Sequence, residues 1–85
     1  MKYGYTIADA ADRKTFDAAA SFIIEELHFK PCRDFVEDVD GSIKKEFSST
    51  DGKLILVSDT QVDDVIIISD VELPIDCLYE WTTES

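Results

Sequence analysis

Tyr3, Tyr5 and Ile7 share one parity along the start of the chain and Gly4, Thr6 and Ala8 the other, the period-two alternation of a strand with one buried face. A first strand is predicted there. The period then changes. Phe16, Ala20, Ile23, Ile24 and Leu27 stand at i, i+4, i+7, i+8 and i+11, which gathers them on one side of a helix. Asp9 or Asp12 is placed to accept hydrogen bonds from the open amides of its first turn. The helix is expected to end near His28, because Pro31 disfavours helical geometry at Lys30. From Cys32 to Gly41 the chain is acidic, with Phe35, Val36 and Val39 as its apolar anchors, and reads as a loop or a short irregular edge.

From Ser42 onward the pattern is β. Ile43 to Phe47, Leu54 to Val57, Val65 to Ser69 and Ile75 to Trp81 form four runs separated by turn-rich segments. Asp51-Gly52, a pair tolerant of positive φ, predicts a tight hairpin between the first two. Leu54 to Val57 and Val65 to Ile68 are apolar at every position, as in central strands whose second face is covered by the helix or by a partner. In the last run Ile75, Cys77, Tyr79 and Trp81 alternate with Asp76, Leu78 and Glu80, as on a half-exposed strand, and Trp81 is expected to pack across the sheet from a strand end. The predicted fold is α+β in a single domain, 1–85: one helix packed on a mainly antiparallel four- to five-stranded sheet, in the order βαββββ.

Composition narrows the role of such a domain. The chain has 85 residues, 45% of them hydrophobic, with three Gly and two Pro, as befits a folded globule. So short a chain holds one core and little room for a deep pocket, which weighs against a self-contained enzyme. Eight Lys and Arg stand against nineteen Asp and Glu, a formal charge of −11. That surface repels phosphates and anionic lipid, so neither direct nucleic-acid binding nor membrane binding is expected. The longest apolar run, Val65 to Ile68, falls far short of the roughly 18 residues of a membrane span, and the alternating start is unlike a secretory signal. A cytoplasmic location is expected, with Cys32 and Cys77 as free thiols.

The distribution of charge says more than its sum. Residues 1–53 hold all eight bases against eleven acids, whereas residues 54–85 hold eight acids and no base. Asp59, Asp63, Asp64, Asp70, Glu72, Asp76 and Glu80, with Glu84 beyond them, fall in or beside the last three predicted strands. Same-face residues on a strand lie about 6.6 Å apart, a spacing at which rows of carboxylates imitate successive backbone phosphates. The first seven are therefore candidate partner-binding residues, set opposite the Lys and Arg of a basic groove, with fast and salt-sensitive association. The plain alternative is that they solvate loops and keep the protein soluble. Tyr3, Tyr5, Phe35, Tyr79 and Trp81 are either interface anchors or fillers of a small core.

Other chemistry lacks a complete set of groups. Asp38-Val39-Asp40-Gly41 is like the middle of a calcium loop, but with Gly41 in the sixth position Val36 and Phe47 occupy the first and twelfth, where oxygen ligands are required. His28 and Cys32 have no third and fourth zinc ligand at matching spacing. The single His has no nucleophile motif beside it, and no glycine-rich phosphate loop occurs. Asp63-Asp64 and Glu25-Glu26 are adjacent in sequence and so point in different directions. No catalytic residue, metal or cofactor is expected.

In size, charge and order of elements the chain resembles the small acidic inhibitors that phages and mobile elements make against host enzymes, including anti-CRISPR proteins and the phage uracil-DNA glycosylase inhibitor. Thr50-Asp51, then Leu54-Ile55-Leu56-Val57-Ser58-Asp59, then Val65-Ile66-Ile67-Ile68-Ser69-Asp70 is similar in rhythm to the paired acidic strands of that glycosylase inhibitor. Where its first strand offers a Glu-Ser-Ile segment to the DNA cleft, this chain reads Tyr5-Thr6-Ile7, without the helix that normally precedes it. The resemblance implies a non-enzymatic inhibitor that binds the basic nucleic-acid-binding surface of a bacterial host's defence protein, such as a CRISPR effector, and blocks access of DNA or RNA. The same charge pattern suits an immunity protein or antitoxin that neutralises a cognate nuclease, or a glycosylase inhibitor. In a third reading an exposed strand augments a partner's sheet and the acids serve only solubility.

Overall fold

The computed structural model describes residues 3–32 and 36–82. Strand β1 (Tyr3–Ala8) leads into helix α1 (Arg13–Glu25), followed by two-residue strands β2 (Lys30–Pro31) and β3 (Val36–Glu37). The long strands β4 (Ile43–Ser49), β5 (Gly52–Asp59) and β6 (Asp64–Ser69) come next, then β7 (Tyr79–Thr82). All pairings are antiparallel, in one sheet of order β2-β4-β5-β6-β1-β7 with β3 also on β4. The fold is thus α+β, but the sheet is wider than the expected four to five strands. The extra strands are β2, between the helix and the segment read as a loop from Cys32 to Gly41, and β3 within that segment, each pairing two residues with β4. Pro31 sits in one of them, at the sheet margin, where a missing amide costs no ladder bond.

Local chemistry sets the helix ends. The Asp12 carboxylate accepts from the amides of Lys14 and Thr15, each at 3.3 Å, which identifies Asp12 and not Asp9 as the cap. The Thr15 hydroxyl, itself bonded to that carboxylate, and the Lys14 amide hold the Asp12 pKa below its ordinary value. At the other end His28 takes a φ of 61°, and the chain folds back so that the Phe29 amide donates to Ile23 O at 3.1 Å. Phe16 and Ile23 are buried and Ala19, Ala20 and Leu27 pack beside them, but Ile24 is 40% exposed and lies off the predicted stripe.

One face of the sheet receives the helix. Tyr5, Phe47, Leu54, Leu56, Val65 and Ile67 are buried there with Phe16, Ile23 and Phe29, each such side chain stabilising the fold by about 1.5–3 kcal/mol. The Tyr5 hydroxyl, pushed up in pKa by burial, accepts from the Leu73 amide at 2.8 Å. That bond holds the connection after β6 on the same side, where Val71, Ile75 and Cys77 pack against the core.

Three local expectations need correction. Val36 and Val39 are 56% and 110% exposed and anchor nothing, while Phe35 lies outside the described residues. Ile75 and Cys77 pack on the core from an unpaired extended segment, so the last strand begins only at Tyr79. In the β4–β5 hairpin Ser49 pairs with Gly52, so Thr50 and Asp51 form the turn. Gly52, at φ 156°, has no room for a side chain because a Cβ there would stand 2.9 Å from that of Asp70.

Candidate functional site

The seven candidate acids occupy strand ends and connections. Asp59 closes β5, and its Oδ1 accepts from the amides of Gln61 and Val62 at 2.9 and 3.3 Å, so its charge organises the β5–β6 turn. Asp63 sits in that turn at φ 64° and accepts from the Ala11 amide at 2.8 Å, tying the turn to the approach of α1. Asp64 pairs across from Asp59 at the start of β6. One of its carboxylate oxygens is buried with no partner among the described residues. Burial first, then the charges of Asp59 and Asp63, raise its pKa.

The remaining candidates lie elsewhere. Asp70 follows β6 and receives the Lys53 amide at 3.0 Å, so it is about 20 Å from Asp64 along the strand. Glu72 and Asp76 are exposed on the connection to β7, and Glu80 is exposed on β7 itself. Asp59, Asp63 and Asp64 are thus brought together, whereas Asp70, Glu72, Asp76 and Glu80 are spread over the other end and one margin. No row of carboxylates at every second strand position forms, because the interiors of β5 and β6 are taken by Leu54 to Val57 and Val65 to Ile68. Glu84 lies outside the described residues.

Those aliphatic interiors expose what the charge pattern conceals. Facing pairs put Glu46, Ile55, Ile68, Gly4 and Trp81 in one row, and Lys44, Val57, Ile66, Thr6 and Tyr79 in the next. Both rows lie on the side away from α1. Ile55, Val57, Ile66 and Ile68 are partly exposed, and none of them packs against the core. Trp81 lies flat over Gly4, its Nε1 donating to Thr6 Oγ1 at 3.3 Å, as expected of a residue packing across the sheet. The signal for this surface was the pair of unbroken apolar runs, since a strand covered on one side only should alternate.

On the helix side a groove of about 560 Å³ opens between α1 and the connection to β7, lined by Ile7, Ala19, Phe22, Ile67 and Ile75. Thr15 and Asp76 are its polar lining side chains. The Asp38–Gly41 loop is a turn knitted to its neighbour: Asp40 accepts from the Ser42 amide at 3.0 Å and from Gln61 Nε2 at 3.2 Å. Among the described residues no group of three or more His, Cys, Asp or Glu is arranged to hold a metal ion. Both cysteines are free, and no described helix is long and apolar enough to cross a membrane. No protein-family model, curated protein or solved structure matches the chain.

Proposed function

We propose that the protein is a non-enzymatic acidic inhibitor that engages the basic nucleic-acid-binding surface of a bacterial defence protein, such as a CRISPR effector, and excludes DNA or RNA from it. The observation that carries the reading is the absence of any base after Lys53 in a chain of charge −11, together with the exposure of Asp63, Asp70, Glu72, Asp76 and Glu80. A basic groove is attracted to such a surface over about 8–10 Å at physiological salt. The contacts then made are those of local negative charge, with no regular phosphate spacing. An immunity protein or antitoxin bound to a cognate nuclease is the alternative that uses the same forces, and the identity of the captured partner separates the two.

The test uses the exposed acids that hold no turn. The immobilised chain is exposed to bacterial lysate at about 50 mM and about 500 mM salt, and the retained protein is assayed for nucleic-acid binding with and without the chain. Retention at low salt, loss at high salt and competition with DNA or RNA are expected. The triple variant Glu72→Lys, Asp76→Lys, Glu80→Lys should lose both retention and competition. Equal retention by this variant sinks the electrostatic reading and leaves strand pairing at the β7 margin as the better account.

A further inference from the structure

The face opposite α1 differs from the rest of the surface in charge as well as in polarity. Within its strands it carries Lys30, Lys44 and Lys53 against Glu46, Asp59 and Asp64, a balance of zero in a chain of −11. The end rows are sorted by sign, and the inner pair runs the other way, with Glu46 one row in from Lys53 and Lys44 one row in from Asp59. Lys30 and Lys53 lie in one row at one end, on either side of Ser48, and Asp59 and Asp64 face each other at the other. Lys53 and Asp59 are about 20 Å apart along β5, with Ile55, Val57, Ile66 and Ile68 between the two ends. Asp70, at the rim of the basic end, has its carboxylate turned onto the Lys53 amide.

We propose that this face is a self-association surface on which a second copy of the chain packs sheet to sheet. A basic nucleic-acid-binding protein gains nothing from a face with no net charge, and it meets Lys30 and Lys53 there. A second copy is repelled by every strongly acidic part of the surface but not by this one. A two-fold axis running across the strands sets the Lys30 and Lys53 end of one copy over the Asp59 and Asp64 end of the other, and lays the two aliphatic stripes together. Five strands at about 4.8 Å spacing and six residues of length give a planar footprint of roughly 500 Å². Side-chain relief enlarges this toward the ~800 Å² per partner of a standard interface. The acids of the connection to β7 lie off this face, so pairing leaves them available.

Sedimentation of the wild-type chain across concentration and salt tests the proposal, with Trp81, the single tryptophan, reporting on the face by its emission. A dimer is expected, strengthened by salt because the repulsion between two copies of charge −11 is screened, with a blue shift of emission on association. This salt dependence is opposite to that of the acidic contacts with a basic partner, so failure of one reading is distinguishable from failure of the other. Ile66→Asp should abolish the dimer. Lys30→Glu with Lys53→Glu, both exposed and outside the core, should weaken it about tenfold or more with the circular dichroism spectrum unchanged. A monomer of 9.6 kDa at about 1 mM protein and high salt, or a dimer indifferent to the lysine pair, overturns the proposal.

Discussion

Gly4→Ala is a sharp test of how β7 is held. An added Cβ would stand 2.3 Å from two carbons of the Trp81 ring, where ordinary contact is about 3.5–4 Å. Since Gly4 lies inside β1 and pairs with Trp81 directly, the backbone cannot yield without disturbing β6, so the ring must retreat by more than about 1 Å. That movement breaks the 3.3 Å bond from Trp81 Nε1 to Thr6 Oγ1 and loosens the margin of the sheet. Overpacking of this kind costs about 1–3 kcal/mol, offset by the roughly 0.5–1 kcal/mol that alanine gains over glycine within a strand. The net loss is on the order of 1–2 kcal/mol, a fall of about 4–16 °C in Tm for a domain of this size. Thermal and urea melts followed by far-ultraviolet circular dichroism measure it. The decisive control is Gly4→Ala made in a Trp81→Ala background. With the ring gone the clash disappears, so alanine at position 4 should become neutral or stabilising, and the sign of its effect should reverse. An equal loss of stability in both backgrounds refutes the reasoning, because the glycine would then be needed for some reason other than the indole.

Two further outcomes follow from the titrating groups. Asp64→Asn should stabilise the protein at pH 7 by about 0.5–1 kcal/mol, since it removes a charge from a carboxylate with a buried, unpartnered oxygen. The folded-state pKa of Asp64 lies above the ordinary value of 3.8. Its favourable contribution is therefore full below the unfolded pKa and is lost as the pH rises through the folded one. The advantage of the variant should accordingly shrink as urea melts are moved from pH 7 toward pH 3.8, and a less stable variant at pH 7 contradicts the assignment. Cys32 is exposed, whereas Cys77 is half-buried with its thiol pushed up by burial and then by Glu80 and Asp76. Maleimide should label Cys32 about tenfold or more faster than Cys77, with two adducts in the intact mass without reductant. A mass short of two hydrogens before labelling would show a disulfide instead.

The sequence made the α+β class, the helix, its cap candidates and the strands around Leu54 to Val57 and Val65 to Ile68 legible, because long periodic or apolar runs express burial directly. It did not reveal that β1 enters the sheet between β6 and β7, since strand order depends on packing between distant segments and leaves no periodic trace. The strands at Lys30–Pro31 and Val36–Glu37 were invisible because two residues cannot display a period. Among the acids, the alternation of Asp76, Leu78 and Glu80 predicts a single strand from Ile75 to Trp81, whereas pairing begins only at Tyr79. An unpaired stretch at Ile75 and Cys77 shows the same parity when every second side chain anchors on a core. Asp59 and Asp63 looked like free surface charge, yet they bind amides in and beside the turn they delimit, a role their residue type allows but their spacing does not announce. The face bearing Ile55, Val57, Ile66 and Ile68 was foreshadowed by the lack of alternation in both runs, which required a cover that the helix supplies on one side only.

The position of β1 also governs how the chain reaches this state. Tyr3 lies opposite Ser69 on one side and Thr82 on the other, so it finds both neighbours only among residues more than sixty positions later in the sequence. Strands β4 to β6 can zip locally in the meantime. Pairing of Tyr3 and Tyr5 with β6 and β7 joins residues far apart in the chain, the kind of contact that slows folding relative to local pairing. The sheet is therefore completed by its two segments most distant in sequence, the first strand and the last, meeting side by side.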